Sequence, residues 1–284
     1  MQTNITISIV NFDSTKHTVQ CIQSILKYPP KCDFEILVFD NDINPKLNVD
    51  SKNITYTSFH NNYGFGFGHN YNSSIAKYPY LVLINPDTRI ENPNFWNILG
   101  YLERLPNIGI LTSRIVNKNK TERNTSKITR PLRSIIVYTF LGKFIVFKRM
   151  MSNYWEEYLK HQEFYTTEFV SGAFMIINSD TFKRVNGFDT NIFLYYEDND
   201  LSYRLIKKGY KNYIINKFSI FHIKHGSKIS NQKRNKYFSE SRKYFFFKHF
   251  SWSEVTLSLF VINLFDYLSH AKNLALSYYK KRRR

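Results

Sequence analysis

Residues 5–40, ITISIVNFDSTKHTVQCIQSILKYPPKCDFEILVFD, decide the fold that we predict for this chain. The runs Ile5–Val10 and Glu35–Asp40 are short, apolar and rich in β-branched or aromatic residues, as strands buried on both faces are. Between them the sequence predicts a helix over residues 15–28, ahead of a Pro-Pro pair, with apolar residues at helical spacing at Val19, Ile22, Ile25 and Leu26. A strand, a helix and a strand in this order predict a parallel sheet with right-handed crossovers, and hence an α/β domain.

Two later runs extend the predicted sheet, Tyr80–Asn85 (YLVLIN) and Phe169–Ile177 (FVSGAFMII). Ligands of open α/β sheets bind at the carboxyl ends of the strands. Asp40 and the triplet Asn85-Pro86-Asp87 both fall at such ends. We therefore expect the ligand site along this edge of the sheet.

The composition is that of an ordered and strongly basic protein. Of 284 residues, 43% are hydrophobic and 17% aromatic, which supplies a core and excludes disorder. The 40 Lys and Arg residues exceed the 22 Asp and Glu residues, and the net charge of +18 indicates a polyanionic neighbour: nucleic acid, anionic lipid or a phosphorylated substrate. Nucleic acid is disfavoured because the charge does not gather beside a recognisable binding motif.

The sequence also bears on location. Its first residues do not resemble a signal peptide, and no segment approaches the roughly 20 uninterrupted apolar residues of a membrane span. The two cysteines, Cys21 and Cys32, form no C-x-x-C pair, so a reducing compartment is expected. These features predict a soluble or peripherally bound protein.

The Asn85-Pro86-Asp87 triplet is the first candidate site. Proline forces Asn85 into an extended conformation, so the strand ends there and Asp87 is presented just beyond it. A carboxylate in this position suits Mg²⁺ or Mn²⁺, hard ions that prefer oxygen ligands and bridge phosphates. The alternative is an ordinary turn, a common role for all three residue types.

An acidic cluster, Glu197-Asp198-Asn199-Asp200, opens a predicted helix that Gly209 closes. One of these carboxylates is expected to act as a general base, its pKa raised by the aromatic run at residues 193–196. The alternative is structural. Acids at a helix N-terminus stabilise the helix, and Asp200 and Arg204 have the spacing of an i, i+4 ion pair.

Two further segments carry residues suited to ligand binding. His222 and His225 follow a predicted strand, and an imidazole there would complete a metal site with Asp87; a structural role is the alternative. The glycines of residues 62–70 (NYGFGFGHN) permit close approach of the backbone to a ligand, whereas a flexible turn would need no ligand.

Two apolar stretches have open interpretations. Residues 134–147 (SIIVYTFLGKFIVF) predict a core helix or, alternatively, a helix that faces the membrane or an acceptor. Near the end of the chain one helical stripe precedes the basic residues 280–284, and it consists of Leu257, Phe260, Val261, Leu264, Phe265 and Leu268. We expect this tail to lie on an anionic membrane. The alternative is that it packs on the domain or on a second subunit, which would make a homodimer.

Taken in order, the motifs resemble those of one family. They are NNYGFGFGHN (61–70), LINPDT (83–88), SGAFMIINSDTFKRVNGFDTNIFLYYEDNDLSYRLIKKGY (171–210) and FHIKHGS (221–227). From residue 3 to about residue 250 the chain resembles the family-two glycosyltransferases of GT-A fold, in particular the rhamnosyltransferase-like enzymes of bacterial O-antigen (lipopolysaccharide) and surface polysaccharide synthesis.

The resemblance implies a Rossmann-like α/β architecture with a mostly parallel central sheet flanked by helices. The GT-A domain would span residues 1–250, with the donor half at about 1–115 and the acceptor and catalytic half at about 165–250. Residues 251–284 would form an amphipathic, basic C-terminal helix or tail.

The resemblance also implies roles for individual residues. Asp198 matches the general base, and Glu197 the residue that orients the acceptor. Asp87 and His222 match positions that bind Mg²⁺ or Mn²⁺. The acceptor side is expected at Gly187, Phe188, Asp189 and Tyr196. The nucleotide-diphosphate sugar is expected to contact Val10, Asn11, Phe12, Asp40, Asn41, Gly64, Phe65, Gly66, Asn70, Asn85 and Asp87.

The implied reaction is a single in-line displacement that inverts the anomeric configuration, with the metal neutralising charge on the departing diphosphate. The expected donor is dTDP-L-rhamnose, and the expected acceptor is a saccharide on a polyprenyl diphosphate at the inner face of the bacterial cytoplasmic membrane. Two alternatives stay open: a transferase of UDP-hexose or UDP-N-acetylhexosamine with the same fold, and a catalytically inactive scaffold subunit of a polysaccharide-assembly complex.

Overall fold

The computed structural model describes residues 3–47, 52–117, 131, 161–223 and 230–264. The chain divides into two compact units. The first comprises Met1–Ile128 and Leu159–Arg242, and the second comprises Thr129–Tyr158 and Lys243–Arg284. The predictions for residues 134–147, for His225 and for the tail beyond residue 264 lie outside the described residues.

The first half of the sheet in the first unit is parallel, as predicted. Its strands are β1 (Ile5–Asn11), β2 (Phe34–Asp40), β3 (Ile54–Ser58) and β4 (Tyr80–Ile84), with helices α1 (Thr15–Lys27) after β1 and α2 (Phe65–Ile75) after β3. Strand β1 pairs in parallel with β2 and β4, and β2 pairs in parallel with β3. The predicted strands over residues 5–10, 35–40 and 80–85 and the helix after β1 are confirmed to within about a residue.

The second half of the sheet mixes directions. The sheet order is β3-β2-β1-β4-β8-β6-β9-β5, with β7 also paired to β9. The added strands are β5 (Thr88–Arg89), β6 (Ile108–Val116), β7 (Phe164–Thr167), β8 (Phe174–Asn178) and β9 (Lys211–His222). Strand β8 runs antiparallel to both β4 and β6, whereas β6 and β9 are parallel. The sheet is therefore mixed.

Helices lie between the strands in the sequence, and two more follow the last strand. A 3₁₀ helix (Phe95–Gly100) leads into α3 (Tyr101–Arg104), and later helices are α4 (Ser179–Arg184), α5 (Glu197–Lys207) and α6 (Asn231–His249). Residues 252–264 form a last described helix, α7. None of the described helices is both long and apolar enough to cross a membrane.

The predicted strand Phe169–Ile177 is wrong in its first half, because β8 starts only at Phe174. Residues 172 and 173 form a turn, and the amide of Gly172 donates to Asp198 Oδ2 at 3.0 Å instead of to a neighbouring strand. The amide of Val170 likewise donates to the Ser202 hydroxyl at 3.2 Å. Helix α5 therefore takes the hydrogen bonds that a longer strand would have used.

The strand sequences bury both faces of the sheet, because successive side chains point to opposite sides. One face carries Ile7, Ile9, Ile36, Val38, Val82 and Ile84, which pack in one cluster with Cys21, Ile22 and Ile25 of α1. The opposite face carries Leu81, Leu83, Met175 and Ile177, packed with Phe182 of α4 and Leu201 and Leu205 of α5. Two apolar layers thus fix the sheet between helices, and the carboxyl ends of β1, β2 and β4 share one edge.

The glycine-rich segment is helical from Phe65 onward, so a flexible turn is excluded for it. A Cβ on Gly68 would lie 2.7 Å from Val10 Cγ2, and one on Gly66 would lie 2.8 Å from Phe188 Cβ. These two glycines let α2 pack closely on β1 and on the segment that carries Phe188. At Gly64, φ is +90°, a conformation that favours glycine.

Gly68→Ala should lower the free energy of unfolding by about 1–3 kcal/mol, because the added methyl group must displace the Val10 side chain. Chemical denaturation measures this loss. Gly100→Ala is the matched control, since a Cβ there meets no atom within 4 Å. The control should be neutral or stabilising by about 0.5 kcal/mol. Equal effects of the two substitutions would contradict the packing role of Gly68.

Candidate active site

A cavity of about 610 Å³ lies at the carboxyl ends of β1, β2 and β4, the edge that the sequence predicts for ligands. This volume is in the range of small-molecule sites. Eight of the residues with a predicted donor or metal role line it: Val10, Phe12, Asn41, Gly64, Phe65, Asn85, Asp87 and His222. Sequences far apart in the chain therefore meet in one cleft of the first unit.

Asp40 and Asn11, two residues with predicted donor contacts, do not line the cavity. Both are buried, and Asn11 Nδ2 donates to Asp40 Oδ1 at 2.8 Å, while Tyr56 donates to Asp40 Oδ2 at 2.7 Å. Burial and the bond to Asp40 raise the pKa of Tyr56, so this phenol stays a donor. The Asn11 Oδ1 atom accepts from Thr18 of α1 at 2.7 Å. The network ties together the ends of β1 and β2 and the start of α1.

Asp87 and His222 meet across 135 residues of sequence. His222 Nε2 lies 3.0 Å from Asp87 Oδ1. The main chain fixes this contact: Thr88 pairs with His222 in the antiparallel β5–β9 ladder, and Ile223 N donates to Asp87 O at 2.9 Å. The strand end enforced by Pro86 thus presents Asp87 to the last residue of β9.

The pKa of Asp87 lies below its ordinary value. Burial alone would raise it, but the hydrogen bond and the charge of His222 outweigh burial. The carboxylate is therefore ionised at neutral pH, as a metal ligand must be.

The Asp87–His222 pair fits a small divalent ion. Asp87 Oδ1 and His222 Nε2 are hydrogen-bonded at 3.0 Å, so a divalent ion held by these two side chains would replace the proton between them. The ion would supply positive charge at the cavity. No group of three or more His, Cys, Asp or Glu side chains is placed to hold a metal within the described ranges.

Three acidic residues open α5, and they differ in role. Asp200 is buried and bonds Arg204 Nε through Oδ2 at 2.6 Å, while Arg204 also donates to the carbonyl of Gly187 at 2.7 Å. The i, i+4 alternative therefore holds for Asp200. Asp198 accepts from the amides of Gly172 and Asn199 at 3.0 and 2.9 Å. Glu197 is buried, and among the described residues its Oε2 atom has no hydrogen-bond partner.

Burial raises the pKa values of both Glu197 and Asp198. For Glu197 the neighbouring charge of Asp198 raises the pKa further, so that it lies well above the usual range for glutamate. For Asp198, hydrogen bonds from the amides of Gly172 and Asn199 offset part of the rise. Of the two, Asp198 is the one suited to accepting a proton from a hydroxyl, because the amides of Gly172 and Asn199 favour its charged form.

A strained loop holds this carboxyl pair. Tyr195 and Tyr196 have φ values of +67° and +68°, a left-handed conformation that costs about 1–3 kcal/mol at each non-glycine residue. Both rings contact Phe238 of α6, with ring centroids 6.0 and 5.3 Å apart. Ser241 Oγ also donates to the carbonyl of Leu194 at 2.8 Å. These contacts offset the strain just before Glu197.

Asp198 borders the cavity wall but is not among the residues that line the cavity. A Cβ on Gly172 would lie 3.7 Å from Asp198 Cβ and 3.4 Å from Phe65 Cζ, and Phe65 lines the cavity. The amide of Asn85, another lining residue, donates to the carbonyl of Ala173 at 3.0 Å. The two carboxylates, Asp87 and Asp198, thus belong to adjoining parts of one edge of the sheet.

The other residues with predicted roles do not line the cavity, and four of them, Gly66, Asn70, Gly187 and Phe188, pack together. Asn70 bonds both the amide and the carbonyl of Phe188 at 2.8 Å, and Gly66 touches the same residue. Asp189 accepts from the amide of Asn191 at 3.0 Å. Gly187 lies against Asn70, and Tyr196 is buried.

The sequence did not identify two segments as lining of the cavity: α6 and the loop before α5. Lys233, Arg234 and Tyr237 of α6 line it, as do Phe193, Leu194 and Tyr195 of the strained loop. Among 40 Lys and Arg residues no local signal marks the two basic ones, and only their position after His222 points to them.

Comparisons with known proteins agree with this geometry. Residues 6–186, more than half of the chain, match the family described as Glycosyl transferase family 2, and residues 155–226 match the N-terminal domain of galactosyltransferase. The chain is 25% identical over 170 residues to the rhamnosyltransferase WbbL of Escherichia coli strain K12, which covers 57% of this chain and 62% of that protein.

Solved structures share the fold at low identity. GalNAc-T7, crystallised with UDP, GalNAc and Mn²⁺, superposes with a TM-score of 0.59 at 13% identity over 86% of this chain and 50% of that chain. The mannosyltransferase PcManGT of Pyrobaculum calidifontis, in complex with GDP-Man and Mn²⁺, gives 0.51 at 12% identity over 96% and 80%. The chain thus spans about half of the first structure and less than two thirds of WbbL. By its match over residues 6–186 and by this GT-A fold, the chain belongs to glycosyl transferase family 2.

Proposed function

We propose that the chain transfers a sugar from a nucleoside-diphosphate donor to an acceptor hydroxyl, with inversion at the anomeric carbon. One observation carries this proposal: a cavity at the carboxyl ends of the strands is lined by the Asp87–His222 pair, and its lining residue Phe65 lies against the Gly172 turn that bonds Asp198. One side thus suits a diphosphate, and the other suits the removal of a proton.

The chemistry follows from the Glu197-Asp198 pair and the Asp87–His222 pair. Asp198 takes the proton of the acceptor hydroxyl, and the hydroxyl oxygen forms a bond to the anomeric carbon. The bond from that carbon to the diphosphate oxygen breaks, and its electron pair leaves with the nucleoside diphosphate. One attack from the opposite face inverts the configuration. Glu197, the residue before Asp198, orients the acceptor.

Asp87 and His222 would hold a Mg²⁺ or Mn²⁺ ion, which supplies positive charge to the diphosphate when bound. The ionised state of Asp87 and the position of both side chains in the cavity lining support this assignment. The structures of GalNAc-T7 and PcManGT both contain Mn²⁺.

For the donor we propose dTDP-L-rhamnose, on the strength of the match to the rhamnosyltransferase WbbL. UDP-hexoses and UDP-N-acetylhexosamines are the alternatives, since part of the chain matches a galactosyltransferase domain and GalNAc-T7 was crystallised with UDP and GalNAc. A catalytically inactive scaffold is less well supported, because Asp87, Glu197, Asp198 and His222 are all present.

We further propose that the acceptor is a lipid-linked saccharide of bacterial surface polysaccharide (O-antigen) synthesis and that the protein is peripheral on the inner face of the cytoplasmic membrane. The exposed apolar side chains of α7, in the second unit, support this proposal. Leu257, Phe260 and Leu264 are 55%, 66% and 43% exposed at i, i+3 and i+7, whereas Val255 and Ile262 are buried. Such an exposed apolar stripe ahead of a basic tail suits an anionic membrane.

Asp198→Asn should reduce turnover by about 10²-fold to 10⁴-fold, because Asn cannot accept the proton, while the melting temperature stays within a few degrees. Asp200→Asn is the matched comparison. It should mainly destabilise the fold, by on the order of 3 kcal/mol, because it weakens the buried pair with Arg204. Turnover assays and thermal melts separate the two. If Asp198→Asn lost stability but kept turnover, Asp198 would have only a capping role.

Asp87→Ala should abolish the metal-dependent part of donor binding. In a thermal-shift panel of nucleotide sugars with Mg²⁺ or Mn²⁺, we expect dTDP-rhamnose to stabilise the wild type most. EDTA and Asp87→Ala should each remove most of that shift. Asp180→Ala, an exposed acid on α4, should leave it intact. Donor affinity that survives both EDTA and Asp87→Ala would refute the metal assignment.

Replacing Leu257, Phe260 and Leu264 together by Gln should reduce flotation with phosphatidylglycerol vesicles at least tenfold. The reason is that each buried apolar side chain contributes about 1.5–3 kcal/mol. Ile43→Gln is the control, because Ile43 is 64% exposed in the first unit. Undiminished flotation of the triple variant would exclude α7 as the membrane contact.

A further inference from the structure

Helix α6 presents two cations to the cavity. Lys233, Arg234 and Tyr237 line it, and their spacing of i, i+1 and i+4 places them on one side of the helix. Both basic side chains are exposed, and their main chain is held in the helix, where the amides of Lys233 and Arg234 bond the hydroxyl and the carbonyl of Ser230. The cations therefore stand at the cavity on a regular helix.

These cations are not neutralised by carboxylates in the described part of the chain. Of the described residues that line the cavity, Asp87 is the single acidic one, and its carboxylate bonds His222. Arg234 hydrogen-bonds the Tyr195 side chain. Burial raises the pKa of Tyr195, and the charge and hydrogen bond of Arg234 offset part of this rise. Lys236, on the same helix, does not line the cavity and lies 3.9 Å from Glu240. The lining thus carries two cations against one carboxylate, which suits a ligand with more than one negative charge.

Helix α6 is also anchored at the level of these residues. The Tyr237 and Phe193 rings lie 5.2 Å apart, and Ser241 Oγ donates to the carbonyl of Leu194 at 2.8 Å. Because residues 193 and 194 line the cavity, these contacts fix the helix against its wall. A cation on a fixed helix loses less freedom on binding than one on a mobile loop.

We propose that Lys233 and Arg234 bind the diphosphate of the donor and act as catalytic residues on the leaving group. This inference rests on the proposed function. When the bond between the anomeric carbon and the diphosphate oxygen breaks, the electron pair stays on that oxygen and adds one negative charge. The guanidinium of Arg234 suits two phosphate oxygens at once, and the ammonium of Lys233 acts as a point charge. The two side chains complement Asp87 and His222 on the same ligand.

The test uses the full chain and measures binding of dTDP, UDP and GDP and of the matching nucleoside monophosphates by calorimetry, in EDTA and in Mg²⁺. Lys233→Gln and Arg234→Gln should each weaken binding of the preferred nucleoside diphosphate about tenfold, also in EDTA. The monophosphate should lose less, so the preference for diphosphate falls. Lys236→Gln, the control, should stay within about twofold of the wild type. Arg234→Lys should recover part of the loss.

Three outcomes decide the matter. Unchanged diphosphate affinity in both variants, with binding intact in the wild type, would overturn this inference and leave the proposed function standing. An equal loss for monophosphate and diphosphate would also overturn it, since the helix would then act on the nucleoside side. A wild type that binds no nucleoside diphosphate would refute the proposed function, and the inference with it.

Discussion

The pairing of Thr88 with His222 is the constraint on which the site depends. It joins a two-residue strand that follows β4 to the last residue of β9, and it brings Asp87 Oδ1 within 3.0 Å of His222 Nε2. The same register directs Ile223 N to the carbonyl of Asp87. Two side chains separated by 135 residues thus owe their contact to main-chain hydrogen bonds, which hold more firmly than a side-chain contact alone. This contact places a carboxylate and an imidazole side by side in the lining of the cavity at the carboxyl ends of the parallel strands.

Much of the fold follows from the sequence because β1, β2 and β4 are buried on both faces. Continuous apolar runs such as ITISIV and YLVLIN are the direct consequence of that burial, so the strands and the helix between them were predictable. The direction of β8 was not. An apolar run has the same composition whether its neighbours run parallel or antiparallel. The early part of the predicted strand, before Phe174, is not a strand because Val170 and Gly172 bond Ser202 and Asp198 of α5.

The site was predictable where chemistry and chain geometry coincide. Asp87 follows a proline that ends a strand, and Glu197-Asp198 open a helix after aromatic residues, so both could be located from local sequence. The contribution of α6 could not, because Lys233 and Arg234 are two of 40 basic residues and acquire meaning only from the cavity that they face. The i, i+4 spacing of Asp200 and Arg204 in the sequence indicated an ion pair, and the salt bridge in the structure confirms it.

The two left-handed tyrosines have a consequence for the coupling between distant parts of the first unit. Glu197 follows Tyr196 directly, so the direction in which the carboxyl pair points is set by a backbone that would relax to an ordinary conformation if left to itself. What opposes this relaxation is the contact of both rings with Phe238. The packing of Phe238 of α6 and the direction of the Glu197-Asp198 pair are therefore linked, and a change that loosens this helix also lets the backbone ahead of the pair relax.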